Sequence, residues 1–231
     1  MAMSRELKKR GRGALVAYLA VAVVAIGVGS VLLTPEKTLP IYQPSDLNPA
    51  LVDPSAMGHE DHRVLPFQCI NQEGDTITMK DVEGQVLVVD FFFTRCATIC
   101  PLLTSNMKRV QDRFIDEDRV RLLSHSVTPA ADSVAVLNRY GIKKGVDPER
   151  WWLLTGEKEE IYKLARKSYF AALDEGDGGF QDFVHTENMV LVDRMGRLRG
   201  FYDGTDLDEV NQLVRDLEFL ISLAPNTVSH Y

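Results

Sequence analysis

The sequence of 231 residues lacks a net positive charge outside its N-terminal end. Residues 1–13 carry a net charge of +4, whereas the whole chain carries −7, which leaves −11 on the remainder. Because nucleic acids are bound by basic faces, this acidic body argues against a nucleic-acid partner. Hydrophobic residues make up 45% and charged residues 26% of the sequence, so we expect a globular domain with a real core.

Cysteine is scarce, and its number is odd. The three cysteines are Cys69, Cys96 and Cys100, so at least one of them has no cysteine partner within the chain. Cys69 shares strand parity with Leu65 and Phe67, which predicts a buried, inert thiol, with a mixed disulfide as the alternative. His125 lies in a predicted strand and is expected to be packed in the core or on a sheet face.

Charged residues are absent from residues 14–33, a run long enough to cross a hydrocarbon core of ~30 Å as a helix. A cleaved signal peptide is the competing interpretation, but its apolar region is usually ~7–15 residues. We therefore expect a single-pass anchor, with the basic tail 1–13 in the cytoplasm. No Arg- and Ser-rich presequence precedes the run, which favours a bacterial inner membrane and places the rest of the chain in the periplasm or otherwise outside the cytoplasm.

A proline-rich segment, residues 34–63, follows the anchor and is predicted to be an extended stalk. Within it, Met57, His59 and His62 could load a metal transiently, although such side chains in a linker are more often solvated and idle.

Residues 64–231 are predicted to form one α/β domain with a mixed sheet flanked by helices. A β-hairpin begins the domain, and residues 85–94 are a nearly continuous apolar run typical of a strand buried on both faces. Further strands are predicted at 119–127, 151–155 and in a pair around Arg194-Met195-Gly196. Helices are predicted after the cysteines, from about Asp132 to Tyr140, after Thr155 as a possible cap, and from Leu207 onward.

The sequence "FFFTRCATICP" places Cys96 and Cys100 between a buried strand and a helix with Pro101 in its first turn. The N–H groups and dipole of a helix N-terminus favour thiolates, so this pair is predicted to be reactive. A stapling disulfide would close a loop of a few residues and stabilise little. A redox-active disulfide and a pair of metal ligands are the two functional interpretations.

His185 favours the metal interpretation. It lies in the loop before a late buried strand, and in a thioredoxin-like sheet that loop passes beside the cysteine turn. Thioredoxins commonly have a cis-proline there, whereas this chain has no proline between Pro148 and Pro225. Two thiolates and an imidazole suit copper, and zinc would accept them as well.

These motifs resemble the Sco/SenC family of copper-binding cytochrome c oxidase assembly proteins. The resemblance is carried by the phenylalanine-rich strand, by Thr-Arg-Cys, by Cys-x-x-x-Cys-Pro and by "FVHTENMVLVD", and it extends over about residues 64–222. The family often has an acid where this chain has Thr128, while Asp132 is retained. The resemblance implies a thioredoxin-like fold and copper, as Cu(I) or Cu(II), bound by Cys96, Cys100 and His185. It also implies help in building the copper centre of cytochrome c oxidase subunit II.

The sequence therefore predicts a membrane-anchored copper metallochaperone rather than an enzyme. The alternative is a thiol–disulfide oxidoreductase that keeps the cysteines of a cuproprotein client reduced through a redox-active Cys96–Cys100 disulfide. A thioredoxin-like peroxidase is a third and weaker hypothesis.

Overall fold

The computed structural model describes residues 22, 38–47, 52, 61–172 and 186–223. The chain divides into two compact units, residues 1–38 and 39–231. Apart from Ala22, the predicted anchor 14–33 lies outside the described residues. Within the part that is described, no helix is long and apolar enough to cross a membrane.

The second unit is built on a mixed five-stranded sheet. A separate two-stranded hairpin precedes it in the chain. In chain order the strands are β1 Gln68–Ile70, β2 Thr76–Thr78, β3 Val86–Phe92, β4 Val120–Ser126, β5 Trp151–Leu154, β6 Asn188–Val192 and β7 Leu198–Asp203. The five-stranded order is β5-β4-β3-β6-β7, in which β3, β4 and β5 are parallel and the pairs β3–β6 and β6–β7 are antiparallel. The predicted mixed sheet and the initial hairpin are both confirmed.

Four α-helices accompany the sheet in the described residues. They are α1 Cys100–Arg113, α2 Val134–Lys144, α3 Lys158–Lys163 and α4 Leu207–Ser222. A π-helical turn, Leu164–Ser168, continues α3, and short 3-10 turns lie at Pro44–Asp46 and Met79–Val82. Asp206 caps α4 because its carboxylate accepts hydrogen bonds from the N–H groups of Asp208 and Glu209.

The central strand β3 is buried along its whole length because helices cover both faces of the sheet. Its residues Leu87, Val89 and Phe91 belong to one core cluster, which includes apolar residues of α3 and the π-helical turn. Val88 and Phe92 belong to the other cluster, which includes apolar residues of α1 and α4. The period-2 alternation of a strand thus separates two cores on opposite sides of one sheet.

Two local expectations differ from the structure. Thr155 does not cap α3, since the residue before that helix is Glu157, and Thr155 instead pairs with Ile70 of the hairpin. Helix α2 begins at Val134 rather than near Asp132, because the Asp132 carboxylate is engaged in the preceding loop. It continues past Tyr140 to Lys144, where Gly145 ends it with a φ of 72°.

The described part of the predicted stalk packs against the domain instead of standing apart from it. Tyr42 forms a bridge with Leu198 of β7, and the Arg199 guanidinium donates to the carbonyl oxygens of Leu39 and Pro40. Further along the segment, Val52 is buried. Proline has no main-chain N–H to donate, so carbonyls in a proline-containing segment need other partners. The buried Arg199 guanidinium donates to two of these carbonyls.

Candidate metal centre

The cysteine pair lies where β3 gives way to α1, as predicted. The chain leaves β3 at Phe92, and the N–H of Cys96 donates to the carbonyl of Phe93 at 3.3 Å. Helix α1 then begins at Cys100 itself, with Pro101 in its first turn. Both cysteines are free thiols; Cys96 is half-buried, while Cys100 is buried.

The two thiols contact each other. The N–H of Cys100 donates to the Cys96 sulfur at 3.4 Å, and the Thr98 hydroxyl lies 3.6 Å from the same sulfur. Partial burial alone would raise the pKa of Cys96, but hydrogen bonds from the Cys100 thiol and N–H and from Thr98 outweigh it and lower the pKa to about 7. Cys96 is therefore substantially a thiolate near neutral pH.

Cys100 has the opposite electrostatic environment. Burial raises the pKa of its thiol to about 12, although a main-chain hydrogen bond at Phe93 opposes the rise. The neighbouring Cys96 and Asp90 raise it further, since a second negative charge nearby disfavours ionisation. The pair thus combines an accessible thiolate with a buried, protonated thiol.

A buried carboxyl group lies behind this turn, and sequence reasoning missed it. Asp90 is fully buried in β3, where its carboxyl accepts a hydrogen bond from the Ser124 hydroxyl, and Ser124 in turn accepts one from the Trp151 indole at 2.8 Å. Burial raises the pKa of Asp90 to about 7. The sequence does indicate this group, because Asp90 is the one acid within the apolar run "VLVVDFFF". Burying an acid is costly, so its presence in a buried strand suggests a function.

Asp132 holds the loop before the cysteines in place. Its buried carboxylate accepts from the N–H of Thr94 at 3.1 Å and from the hydroxyl of Thr94 at 2.5 Å. The hydroxyls of Ser126 and Thr128 donate to the same carboxylate at 2.6 and 3.0 Å. Two loops at the carboxyl ends of β3 and β4 are thereby fastened to each other, and Thr128 contributes a donor rather than a charge.

His185 lies outside the described residues, so its ligand role stays a prediction. The residues that follow it are described. The carbonyl of Glu187 accepts from the N–H of Gly204 at 2.8 Å. An added Cβ at Gly204 would lie 2.2 Å from a methyl of Leu103 and 3.0 Å from the Glu187 oxygen. Glu187, two positions after His185, therefore sits beside the first turns of the helix that begins at Cys100.

Of the three stalk residues predicted to load a metal, His62 alone lies in the described part of the chain. Met57 and His59 lie outside the described residues, and the His62 ring hydrogen-bonds the carbonyl of Ser168 at 2.8 Å and packs on Phe170. Burial lowers the pKa of His62. In the described ranges, no three Cys, His, Asp or Glu side chains form a group able to hold a metal ion.

The donor set at the cysteine turn fits a soft metal ion. Two free sulfurs belong to one hydrogen-bonded pair, and one of them is half-exposed and readily ionised. Thiolate sulfur selects Cu(I), zinc and iron–sulfur clusters over magnesium or calcium.

Comparison with known proteins identifies the family. A family model described as SCO1/SenC matches residues 55–222, and the chain belongs to this family. A SCO1 protein homolog of Bacillus subtilis (strain 168) is 30% identical over 159 residues, which cover 68% of this chain and 82% of the relative. The resemblance inferred from the sequence is thereby confirmed.

Two solved structures of the family share the fold. BsSco, a member of the Sco family of cytochrome c oxidase assembly proteins in which a disulfide switch was identified, is 29% identical with a TM-score of 0.61, and the match covers 72% of this chain and 98% of that one. ScoI of Bradyrhizobium japonicum, solved with copper bound, is 26% identical with a TM-score of 0.51, covering 68% and 99%. The helix-flanked mixed sheet is thus the thioredoxin-like fold of Sco proteins, among which copper binding is established.

Proposed function

We propose that this chain is a membrane-anchored copper chaperone that binds copper through Cys96, Cys100 and His185 and delivers it to a cuproprotein, with subunit II of cytochrome c oxidase as the client. The observation that carries the proposal is the hydrogen-bonded pair of free thiols at the start of α1. Its support from relatives is the copper bound to ScoI and the oxidase-assembly role of BsSco.

The difference in burial and pKa between the two thiols suits the transfer of copper to another protein. Cys96 is half-exposed and ionises near neutral pH, so it makes the first contact with incoming copper and with a client's ligands. Cys100 is buried and gives up its proton on binding, which couples copper loading to proton release. His185 completes the set of ligands and leaves it first, so that the copper passes by ligand exchange without being free in solution.

Oxidation of the pair would switch binding off. A Cys96–Cys100 disulfide has no thiolate to offer, so copper is bound by the reduced protein alone. The anchor in 14–33 and the periplasmic location of the domain belong to the same proposal. They rest on the charge-free run and the basic residues that precede it.

The test is copper binding by His185→Ala in the full chain. Removing one of three ligands is expected to weaken copper affinity by more than about 100-fold, a larger effect than that of second-shell changes. His230→Ala is the matched control, because it removes a histidine that belongs to none of the proposed metal-binding groups. Wild-type affinity in His185→Ala would contradict the three-ligand site.

A thiol–disulfide oxidoreductase is the second candidate, and one observation favours it. A half-exposed thiol with a pKa of about 7 beside a buried partner is also the arrangement of an attacking and a resolving cysteine. The same His185→Ala variant separates the two functions. Reduction of a client's disulfide at the full rate, together with undiminished copper affinity, would favour the oxidoreductase.

A further inference from the structure

Exposed apolar side chains lie beside the cysteine pair. Leu102, two positions after Cys100 in α1, is 48% exposed, and Leu207, the first residue of α4, is 47% exposed. Ile99, which lies between the two cysteines in the chain, is half-buried, and its carbonyl accepts from the N–H of Leu102 at 3.0 Å. Ile99, Leu102 and Leu207 form what we call the apolar patch.

The two leucines come to the same end of the domain because α1 and α4 lie side by side and run in the same direction. Near the beginning of both helices, the Asn106 side chain donates to the carbonyl of Gly204, just before α4. Near their ends, Arg113 pairs with Glu218. Leu102 lies one turn before Asn106, and residues four apart share a face of a helix. Both leucines therefore border the contact at Gly204.

The fold does not require these leucines to fill its core. In α4, Val210 and Leu213 already face the interior and are buried, and in α1 the same is true of Leu103 and Met107. Single apolar side chains on a surface are normal, but an apolar patch with a polar rim marks an interaction site. The position beside two free thiols gives this patch a specific use.

Acidic side chains form the rim of the apolar patch. Asp208 and Glu209 in the first turn of α4 are exposed, as is Glu187 before β6. Within the described ranges, none of these three carboxylates forms an ion pair. Arg95, next to Cys96, adds one exposed positive charge. The rim therefore carries more negative than positive charge and favours a partner with basic side chains.

We propose that the apolar patch is the surface on which the copper-accepting protein docks, and that this partner has apolar and basic side chains around its own copper ligands. The inference rests on the proposed function. In ligand exchange one copper ion is bonded to both proteins at once, so the acceptor has to cover the half-exposed Cys96. A specific interface covers about 800 Å² of each partner, far more than one thiol. A contact centred on Cys96 therefore includes the apolar patch.

The two parts of this surface act on different steps of docking. The leucines lose their remaining contact with water in the complex, which holds the partner in place while the ligands exchange. The acidic rim attracts a basic partner from a distance and raises the rate of encounter at low ionic strength. Substitutions in the two parts are thus expected to differ in their dependence on salt.

The test is the anaerobic transfer of Cu(I) from the loaded full chain to the copper-free soluble domain of cytochrome c oxidase subunit II, followed by stopped-flow absorption. Leu102→Gln together with Leu207→Gln is expected to lower the second-order rate constant about tenfold. Both changes are neutral and exposed, so Cu(I) affinity, measured against a chromophoric chelator, should equal that of the wild type. Thermal melting checks that the variant is folded.

Ile142→Gln is the matched control for the leucines. Ile142 is 76% exposed and lies near the end of α2, where the Gln111 side chain in the second half of α1 donates to the carbonyl of Gly145 at 3.2 Å. The same kind of change is thus made on a surface remote from the helix start at Cys100. Transfer by Ile142→Gln should proceed at the wild-type rate.

The charge of the rim is tested separately. Asp208→Asn together with Glu209→Gln should slow transfer about threefold at low ionic strength and leave it unchanged in high salt. Glu159→Gln is the control, because Glu159 is an exposed acid of α3, which packs on the other face of the sheet. Faster transfer after removal of the two rim acids would overturn the basic partner.

The outcomes separate this proposal from the proposed function. Wild-type transfer by the double leucine variant, in a chain that does pass copper to subunit II, would overturn the docking surface alone. Slower transfer with weakened Cu(I) affinity would also overturn it, since the leucines would then support the thiols. Sedimentation that shows a dimer for the wild type and a monomer for the double leucine variant would assign the patch to a second copy instead. A wild-type chain that binds no Cu(I) would overturn the proposed function and this docking surface with it.

Discussion

At the scale of single residues, the three cysteines of this chain have three different environments. Cys96 is half-exposed and receives hydrogen bonds from Cys100 and Thr98, whereas Cys100 and Cys69 are buried. The pKa of Cys96 is lowered to about 7, while the pKa values of Cys69 and Cys100 are raised to about 12. Local hydrogen bonding and burial, rather than residue type, decide which thiol reacts.

Alkylation by iodoacetamide should therefore be strongly selective in the reduced, metal-free protein. At pH 8 a thiol with a pKa of about 7 is about 90% thiolate, whereas one with a pKa of about 12 is about 0.01% thiolate. We expect the rate at Cys96 to rise about tenfold per pH unit below pH 7 and to level off above it. Peptide mass spectrometry at several pH values measures this, and equal labelling of Cys96 and Cys100 at pH 8 would contradict it.

At the scale of elements, the site depends on how β6, β7 and α1 meet at Gly204. The Asn106 side chain in α1 donates to the carbonyl of Gly204 at 2.8 Å, and the N–H of Gly204 donates to Glu187 just before β6. A side chain at this position would fill the space that Leu103 occupies. The close approach positions the start of β6 against the helix that begins at Cys100.

Gly204→Ala should separate these elements. Its Cβ would meet a Leu103 methyl at 2.2 Å and two further atoms at 3.0 Å, and overpacking of this kind costs about 1–3 kcal/mol of unfolding free energy. Copper affinity should fall as well if His185 depends on this contact. Gly156→Ala is the matched control, because the nearest atom to its Cβ lies 3.7 Å away. Urea unfolding compares the two, and equal stabilities would refute the packing argument.

At the scale of the whole domain, a buried ion network joins the segment before the domain to the far edge of the sheet. Arg199 is 3% exposed, and it donates to Asp193 at 2.9 Å as well as to the carbonyls of Leu39 and Pro40. Asp193 also accepts from Arg197 at 2.9 Å. The segment that approaches from the predicted anchor is thus fixed to β7 by main-chain acceptors and one buried cation.

Arg199→Met should release this segment. The loss of several charged hydrogen bonds in a buried network is expected to cost roughly 2–4 kcal/mol of unfolding free energy, moderated because Arg197 still pairs with Asp193. Hydrogen exchange should increase at the N–H of Tyr42, which bonds to Leu198. Arg113→Ala removes an exposed pair with Glu218 and should change stability by less than about 1 kcal/mol. Unchanged exchange at Tyr42 in Arg199→Met would contradict the role of the network.

Much of the fold follows from local patterns. The apolar run 85–94 predicted the strand that is buried on both faces, and the hairpin around Gly74 was also confirmed. The cysteine turn was predicted because Pro101 marks a helix start directly after that strand. Such patterns succeed because strand alternation and helix-starting residues act within a few positions.

The sequence by itself determined the family and the position of Cys96 and Cys100 at the start of a helix. It also determined the charge-free run 14–33 and the net negative charge of the residues that follow it. Only the tertiary structure decided which of the two thiols ionises, that Asp90 lies buried behind them, and that Cys69 meets His125 across 56 positions of chain. Thiol acidity is set by burial and by neighbours, and those neighbours come together through strand pairing that no local pattern specifies.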